Sequence, residues 1–436
     1  MKILHIISQA PDFTGSGKFI QQIILQARAK GHKNFLVAGV QPGCDIPENL
    51  VSKDRSVLVR FGGKDLDFPI PGMSDAMPYE STMFSKMTAA ELSAYQFVFQ
   101  EKIKEALDRF RPEIIHTHHL WMVSALAREL APDLPMVTTC HGTCLRQHEF
   151  CPDISQKIKP SLQKINRIMA LSNSQKREIM DLLWFAGDQT MDPFSNKTPN
   201  KILDKTQDKI WDRVPVMAGG YDHTLFQKGN KPMGEPVELV YAGKLCRAKG
   251  VLWLLRSLEK IEEMPFRLHL AGSGTGVEKQ ICLDLAQALG QKVIYHGPLS
   301  HGDLARLMGR CHLFVLPSFF EGVPLVLMEA LACGCRLLTT DLPGVRDLLS
   351  PADGRMIRFF NLPPLKNMDT PHEQDEPDLE ERLAMALKCV IKEIQENSEP
   401  DAHLIESRSR PYTWNKVFAR IESVYQTVIL PRNLTT

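Results

Sequence analysis

The first forty residues run strand, glycine-bearing loop, helix, strand, and this order restricts the chain to a parallel sheet. Lys2–Ser8 is an apolar run of strand length, and 34–40 is a second one. Between them, apolar residues recur at three- and four-residue spacing over Phe19–Lys30, which predicts a helix that stops before Gly31. Two such strands joined through a helix form a βαβ unit, so we predict a doubly wound α/β domain.

The same alternation recurs in the second half of the chain, which indicates a second domain. A length of 436 residues exceeds one ordinary domain. We predict a Rossmann-like domain over 1–215 and another over 216–411, with a closing helix at 412–430 that packs back on the first. Ligands of doubly wound folds bind at the carboxyl ends of strands, so the expected site is the cleft between the domains. The predicted strands are Ile114–Thr117, Met136–Thr139, Ile168–Ser172, Val237–Ala242, Phe266–Ala271, Lys292–His296, Leu313–Pro317 and Arg336–Thr340.

Composition excludes several functional classes. The net charge is +1, so no charge excess points to nucleic acid. The 10 cysteines follow no secretory leader, and we interpret them as reduced thiols of a cytoplasmic protein. No apolar run reaches the roughly 18 residues that a membrane span requires, so any membrane contact would be peripheral. Three segments, 62–78, 187–209 and 363–377, lack a regular pattern and are predicted to be loops.

Two carboxylates eight residues apart form the sharpest candidate site. Glu321 follows a predicted strand, and Glu329 lies one or two turns into a predicted helix, Leu325–Cys333, with Pro324 at its favoured first position. Free N–H groups at a helix start attract an anion, while carboxylates accept hydrogen bonds from sugar hydroxyls. The arrangement suits a diphosphate between two sugars; the alternative is one solvated loop glutamate and one ordinary helix glutamate.

Residues Pro317–Gly334 resemble the E-x7-E signature of the retaining GT-B glycosyltransferases of family 4. Further landmarks follow in the family's order: Gly219–Asp222 with Phe226, Tyr241–Leu245 with Lys249-Gly250, Leu270–Gly274, Asp341–Gly344, and Trp414 with Tyr425. The resemblance implies a retaining, metal-independent transferase that uses no cofactor. It would move a sugar from a nucleotide-diphosphate donor, UDP-sugar before GDP-sugar, to a hydroxyl of a glycan, lipid or small-molecule acceptor.

The resemblance also assigns roles to residues. Glu321 would bind the transferred sugar, Glu329 the ribose, and Lys244 and Lys249 the diphosphate as its negative charge grows. The family usually has arginine at position 244; lysine keeps the charge and loses the planar bidentate fork. His141, after a predicted strand, would contact the transferred sugar, and its alternative is a structural histidine. The remaining donor-binding residues expected are Gly15, Ser16, Gly17, Gly243, Gly272, Gly322, Val323, Pro324 and Leu325.

Two clusters leave a metal-binding alternative open. The set His116, His118 and His119 could ligate a metal, although adjacent histidines on a strand point to opposite faces. The set Cys140, Cys144, His148 and Cys151 lacks the C-x2-C spacing of a zinc knuckle, so reduced thiols lining a pocket are preferred. We therefore predict no metal site.

The acceptor and any membrane would meet the first domain. Asp75, Arg146 and Gln147 lie in irregular loops and are the acceptor-site candidates. The basic segment 157–177, with apolar Ile165, Ile168 and Met169 among its charges, is a candidate for peripheral contact with an anionic inner membrane face; a solvated helix face is the alternative.

Other functional classes remain as alternatives. A nucleotide-sugar epimerase would need carboxylates that exchange protons with the sugar, and a phosphorylase would need a pyridoxal lysine. A non-catalytic nucleotide-sugar-binding protein would not need Lys249 and His141 beside both glutamates. A nicotinamide oxidoreductase would need the full G-x-G-x-x-G spacing, which the Gly15-Ser16-Gly17 turn lacks. We identify no strong general base and no Asp-X-Asp metal motif in either half of the expected cleft.

Overall fold

The computed structural model describes residues 1–12, 14–74, 77, 79–185, 209–349, 355–367, 370–397 and 400–430. The chain divides into two compact units, Met1–Ala218 with Val417–Thr436, and Gly219–Lys416. Each unit contains one six-stranded sheet. Every strand pair within these two sheets is parallel, which confirms the predicted α/β class with two Rossmann-like domains.

The first unit has a sheet of order β3-β2-β1-β6-β7-β8. Its strands are β1 Lys2–Ile7, β2 Lys33–Val40, β3 Ser56–Arg60, β4 Pro71–Gly72, β5 Thr82–Met83, β6 Ile114–His118, β7 Met136–Thr139 and β8 Arg167–Met169. Its helices are α1 Gly15–Ala29, α2 Ala89–Phe110, α3 Met122–Leu130, α4 Thr143–Phe150, α5 Pro152–Leu162 and α6 Asn173–Met180.

The second unit repeats this sheet order as β11-β10-β9-β12-β13-β14. Its strands are β9 Val237–Ala242, β10 Phe266–Ala271, β11 Val293–Gly297, β12 Leu313–Leu316, β13 Arg336–Thr340, β14 Ile357–Phe360, β15 Leu365–Asn367 and β16 Thr370–Pro371. Its helices are α7 Val251–Glu259, α8 Gly276–Ala288, α9 His301–Arg310, α10 Val326–Ala332, α11 Pro343–Leu349, α12 Glu376–Glu396 and α13 Ala402–Ser409. The closing helix, α14 Trp414–Ile429, enters the first unit at Val417.

Long helix α2 was not anticipated from the sequence. It begins with a capping box, in which the Thr88 side chain accepts from the Glu91 N–H and Glu91 accepts from the Thr88 N–H. Its buried face includes Tyr95 and Phe99, whose rings lie 4.7 Å apart. The spacing of four residues between Tyr95 and Phe99 is the helical periodicity that predicts such a helix from sequence.

One of the predicted loops contains regular structure, and another lies almost wholly outside the described residues. The segment 363–377 is not a plain solvated loop, because it contains the β15–β16 hairpin and the start of α12. Glu376 at that helix start pairs with Arg247 and Arg256, which fixes the segment against the second unit's own surface. The predicted insertion 187–209 lies outside the described residues except for its last position.

Candidate functional site

Glycines hold the strand-end loops of the second unit in backbone contact. A Cβ on Gly272, which follows β10 with a φ of +141°, would lie 1.8 Å from the carbonyl oxygen of Gly243 after β9. A Cβ on Gly344 would lie 1.6 Å from the carbonyl oxygen of Gly322. Contacts this short admit no side chain, so both positions require glycine.

The loop that carries Lys249 is fixed to the end of β12 in the same way. A Cβ on Gly250, which has a φ of +69°, would lie 1.9 Å from the Pro317 carbonyl oxygen. The Phe319 N–H donates to the Ala248 carbonyl over 3.0 Å. These two contacts bring the residues before Gly250 beside the residues after β12.

Lys249 and Glu321 meet at this junction. The Lys249 Nζ donates to Glu321 Oε1 over 2.7 Å, and the Ser318 hydroxyl donates to the same oxygen over 2.7 Å. The lysine side chain is 28% exposed and the carboxylate 12%, so solvent screens this ion pair only partly. Two residues predicted for different parts of the donor therefore contact each other directly.

Lys244 lies in the neighbouring turn and is exposed. Its carbonyl oxygen accepts a hydrogen bond from the buried Tyr241 hydroxyl over 2.7 Å. Burial raises the pKa of Tyr241 well above its ordinary value, so the phenol keeps the proton that it donates. Tyr241 thus fixes the turn that carries the exposed Lys244.

The helix that carries Glu329 begins later than predicted. Helix α10 has 7 residues and starts at Val326, so Pro324 does not occupy its first position. The Leu327 N–H bonds to the Pro324 carbonyl over 3.0 Å, a tight turn that precedes the regular helix. Glu329, half-buried, lies in the first turn of the helix, earlier than the one or two turns that the sequence predicted. A helix this short offers a weaker positive end to a phosphate than the sequence pattern implied.

The residues of the loop before α10 differ in their exposure to solvent. Gly322 is exposed, Val323 is half-buried and Pro324 is buried. The Leu325 side chain packs against Gly219, where an added Cβ would meet its Cδ1 at 2.6 Å. Gly322 is therefore the most accessible backbone of this loop, whereas Leu325 has a packing role.

In the first unit, Gly15, Ser16 and Gly17 form the first turn of α1, so the predicted loop is wrong at these positions. Thr14 caps the helix by accepting from the Gly17 N–H over 3.0 Å, which starts the helix four residues before the first periodic apolar residue. A Cβ on Gly17 would lie 2.6 Å from the Asp12 nitrogen, whereas one on Gly15 would meet nothing within 4 Å. Of the two glycines, only Gly15 leaves space for a ligand.

Hydrogen bonds tie this turn to His119, which follows β6, and a separate hydrogen bond joins His118 to His141. The buried Ser16 hydroxyl accepts from Gln9 Nε2 over 2.7 Å and lies 3.1 Å from His119 Nε2. His141 Nε2 lies 3.2 Å from His118 Nδ1. Burial, and then the neighbouring histidines, lower the pKa of His118 and of His141 well below the ordinary value. The imidazoles of His118 and His141 are therefore neutral at physiological pH.

His116 and His118 share a sheet face with His5 of β1, which pairs in register with His116. All three are buried, and one ring nitrogen of each lies within 4.8 Å of the others. Three imidazoles at that separation are ligand types for zinc or another transition metal. Both nitrogens of His116 are, however, hydrogen-bonded, Nδ1 to the Tyr425 hydroxyl at 2.7 Å and Nε2 to the Thr139 hydroxyl at 2.8 Å.

The cysteines of the predicted thiol cluster are buried rather than lining an open pocket. Cys140 Sγ and Cys144 Sγ lie 3.3 Å apart. Burial opposes ionisation of Cys144, but the hydrogen bond from Cys140 and the nearby His119 imidazole lower its pKa well below the usual range. His148 bonds to the Ser155 hydroxyl at 2.7 Å and the Leu120 carbonyl at 3.0 Å, so neither of its nitrogens is left for zinc.

The acceptor-site candidates lie in different environments. Arg146 and Gln147 lie on helix α4, not in a loop as predicted. Arg146 is exposed and its guanidinium covers the Phe150 ring at 5.3 Å, whereas Gln147 is buried and donates to the Met73 carbonyl over 3.3 Å. Asp75 lies outside the described residues. Arg146 is therefore the more accessible of the two described candidates.

The basic segment 157–177 is spread over α5, β8 and α6 and is not one helix face. Its apolar residues Ile165, Ile168 and Met169 are fully buried in the first unit's core, so they cannot enter a lipid surface. Within the described residues, no helix combines the length and the apolar character needed to cross a bilayer. Peripheral membrane contact stays a prediction that rests on charge alone.

One Asp-X-Asp triplet, Asp65-Leu66-Asp67, occurs away from the candidate residues. Leu66 belongs to the hydrophobic core, and Asp65 accepts from the Arg60 N–H over 2.8 Å and pairs with Lys102 at 3.7 Å. The local contacts of Asp65 are those of a turn, and metal binding is not needed to explain them.

Three residues of the second unit were missed as parts of the site. Ser318 anchors Glu321, Tyr241 anchors the Lys244 turn, and Gly344 packs on Gly322. Ser318 could have been found because it is the first polar residue after a buried strand. Gly344 could have been found because a glycine after Pro343 permits close backbone packing. The contact of the Tyr241 hydroxyl with the next turn has no local sequence signal.

Two family models of known proteins match different parts of the chain. The model of "Glycosyl transferases group 1" matches residues 222–361, and that of "Glycosyltransferase Family 4" matches residues 83–190. Glycogen synthase of Mycobacterium tuberculosis is 26% identical over 358 residues, covering 79% of each chain. N-acetyl-alpha-D-glucosaminyl L-malate synthase of Bacillus anthracis is 23% identical over 285 residues, covering 63% of this chain and 70% of its own.

A solved structure has the same fold over nearly the whole length. Anabaena HepE in complex with UDP superposes with a TM-score of 0.64 at 15% identity, covering 98% of this chain and 100% of that one. One family match lies in each unit, and the match to the solved structure covers both units. This chain belongs to the GT-B glycosyltransferases.

Proposed function

We propose that this glycosyltransferase takes its sugar from a nucleoside-diphosphate donor, a UDP-sugar before a GDP-sugar, and retains the anomeric configuration. The acceptor is a hydroxyl of a glycan, a lipid or a small molecule. The observation that carries the proposal is the junction of Lys249 and Glu321 at the carboxyl ends of β9 and β12. A cation and a carboxylate that meet where doubly wound folds bind nucleotides support binding of a diphosphate and a sugar.

The chemistry assigned to the lysines is stabilisation of the leaving group. The bond between the sugar's anomeric carbon and the diphosphate oxygen breaks, and negative charge concentrates on that oxygen. Lys249, whose loop is fixed by Gly250 and by the Phe319–Ala248 hydrogen bond, faces this charge. Lys244 contributes a second, more screened charge from its exposed position.

The new bond forms between the acceptor oxygen and the same carbon, on the face that the diphosphate leaves. The acceptor's proton passes to the departing phosphate oxygen, so no protein base with a raised pKa is needed. Because two lysines supply the positive charge, the reaction needs no divalent metal. Retention follows from attack on the face of departure.

The carboxylates divide the donor between them. Without a ligand, Lys249 and Ser318 both donate to Oε1 of Glu321. In the donor complex Glu321 accepts from sugar hydroxyls, through Oε2 and in place of Lys249. Glu329 accepts from the ribose. Structures of Anabaena HepE hold UDP and UDP-glucose, which supports UDP as the first base to test here.

In the first unit, His141 is proposed to contact the transferred sugar, and Gly15 to leave room for the donor's phosphate or the acceptor. His118 accepts or donates at Nε2 of His141, so the remaining nitrogen, Nδ1, is the one that can meet a hydroxyl. Arg146 is the described residue that an acceptor would reach most readily. These roles, like that of the donor, are proposed from the resemblance to the family.

A panel of UDP-, GDP- and ADP-glucose in EDTA tests the proposal. We expect one nucleotide sugar to raise the melting temperature and to release its nucleoside diphosphate slowly in the absence of acceptor. Conversion to a new sugar isomer would identify an epimerase. Binding without release, in the presence of a broad hydroxyl-acceptor mixture, would identify a non-catalytic binder. Release that occurs only after Mn²⁺ or Mg²⁺ is added would contradict metal independence.

A further inference from the structure

The carboxylate of Glu321 has its two oxygens in different environments. Oε1 accepts from Lys249 Nζ and from Ser318 Oγ, each over 2.7 Å. Within the part of the chain that the structure describes, no hydrogen bond reaches Oε2. The carboxylate is 12% exposed, so water can replace a lost partner only in part.

The partners of Oε1 are fixed before any ligand arrives. Ser318 is fully buried, and its carbonyl oxygen accepts from the Thr340 hydroxyl over 2.6 Å. Lys249 precedes Gly250, whose close contact with the Pro317 carbonyl sets the loop. The pair is therefore a built feature of the second unit rather than a chance surface contact.

We propose that the Lys249–Glu321 pair, positioned by Ser318, makes the site prefer a nucleotide sugar over the free nucleoside diphosphate. The inference rests on the proposed function and deepens it. A diphosphate that recruits Lys249 takes the lysine's charge from Glu321. A carboxylate that is mostly buried then keeps only the Ser318 hydroxyl, and an under-satisfied buried charge is costly.

The sugar of an intact donor removes this cost. Its hydroxyls donate to Glu321, so the carboxylate exchanges the lysine for new donors, and both interactions are satisfied at once. The free diphosphate left after transfer has no such hydroxyls. Glu321 then competes with the product for Lys249, and this competition favours product release.

The test measures the dissociation constants of UDP and UDP-glucose for the full chain in EDTA by calorimetry. Glu321→Gln removes the competing charge and keeps the side chain's shape. We expect it to tighten UDP by about tenfold and to weaken UDP-glucose, so that the preference for the nucleotide sugar collapses. In a Lys249→Met background the same Glu321→Gln change should leave UDP affinity unaltered, because no lysine remains to be released.

Two further variants separate this account from general effects. Glu393→Gln changes the net charge equally but lies in an ion pair with Arg358, outside the site, and should leave both affinities unchanged. Ser318→Ala removes the donor that Glu321 retains when Lys249 leaves, so UDP should bind about threefold more weakly. A structural defect would weaken both ligands in both Ser318→Ala and Glu321→Gln, whereas the proposal predicts opposite signs for UDP.

The outcomes distinguish the inference from the function beneath it. If wild-type protein binds neither UDP nor the GDP and ADP equivalents, the proposed donor class fails and the inference falls with it. If UDP binds wild-type protein but Glu321→Gln binds it equally or more weakly, the inference is overturned while the donor assignment stands. Tightening of UDP by Glu321→Gln that disappears in the Lys249→Met background supports the inference.

Discussion

The two units share one sheet order but hold their candidate residues by different means. In the second unit, backbone contacts at glycine position the loops, and the side chains of Lys244 and Lys249 remain at least partly exposed. In the first unit, side chains hold one another: the Ser16 hydroxyl lies within hydrogen-bond distance of His119, and His141 is hydrogen-bonded to His118. A site whose loops are positioned by backbone contacts keeps its charged side chains partly exposed to a ligand, even where two of them pair, whereas a site held by side chains has already used many of its polar groups.

The largest expected effect lies on the ligand-facing charge of the second unit. Lys249→Ala should lower kcat by about 10²–10³, because the cation is worth most when charge develops on the leaving phosphate. Lys249→Arg should recover part of the loss, since the charge returns with a different geometry. Lys244→Ala, which removes an exposed charge, should cost about tenfold or less. Steady-state kinetics would contradict this if Lys249→Ala raised only the donor KM.

The backbone bracing can be broken at one member of a glycine pair. Gly344→Ala should lower the free energy of unfolding of the second unit by about 3 kcal/mol, because the new Cβ meets the Gly322 carbonyl oxygen. Alanine in a helix ordinarily stabilises by about 1 kcal/mol relative to glycine, so the sign itself is diagnostic.

Gly322→Ala is the matched control for that experiment. A Cβ there meets nothing within 4 Å, and urea denaturation should show a change of about 0.5 kcal/mol or less. Equal destabilisation by both substitutions would show that the loops adjust freely, which would remove the contrast with the first unit.

The side-chain bracing of the first unit should be sensitive to acid. Burial lowers the pKa of His5 to about 4, and it lowers those of His116, His118 and His141 well below 6.5. The unfolded chain therefore binds these protons first, so stability is complete above pH about 6.5 and falls as the pH drops towards 4. His5 alone should cost about 3 kcal/mol over that window.

This effect is measured by using hydrogen exchange to monitor the unfolding of the first unit at pH values between 7 and 5. His5→Gln removes one titrating group and should flatten the pH dependence by up to about 1.4 kcal/mol per pH unit. A first unit as stable at pH 5 as at pH 7 would mean that the histidines stay accessible to protons in the folded state.

The smallest effect separates the two carboxylates of the second unit. Glu329→Ala should weaken UDP binding by about tenfold, because the ribose loses a charged hydrogen-bond acceptor. Calorimetry on Glu329→Ala and Glu329→Gln tests the assignment, with Gln recovering part of the affinity. UDP affinity unchanged in both variants would remove Glu329 from the ribose site.

The sequence predicted the strand-end loops of the second unit more closely than those of the first. Strand ends followed by glycine or a carboxylate mark the loops of β9, β10 and β12, because backbone contacts depend on residue type at a fixed position. Networks such as Gln9–Ser16–His119 join residues about a hundred positions apart, and no local pattern encodes them. The meeting of Lys249 with Glu321 was missed for the same reason.

Local errors have equally local causes. The Thr14 cap starts α1 before the apolar periodicity begins, and the tight turn at Pro324 delays α10. Arg146 and Gln147 were assigned to a loop because α4 is short and carries little apolar periodicity. Capping and short helices depend on a few contacts, which averages over a sequence window do not capture.

Hydrogen exchange on the full chain with and without UDP tests the central claim most directly, namely that the strand-end loops of the second unit bind the nucleotide. The account predicts protection concentrated in residues 243–250, 272–276 and 317–329, with weaker protection of the same segments in Glu329→Ala at an equal, subsaturating UDP concentration. Protection absent from these loops, at a concentration where calorimetry shows UDP bound, would contradict the account.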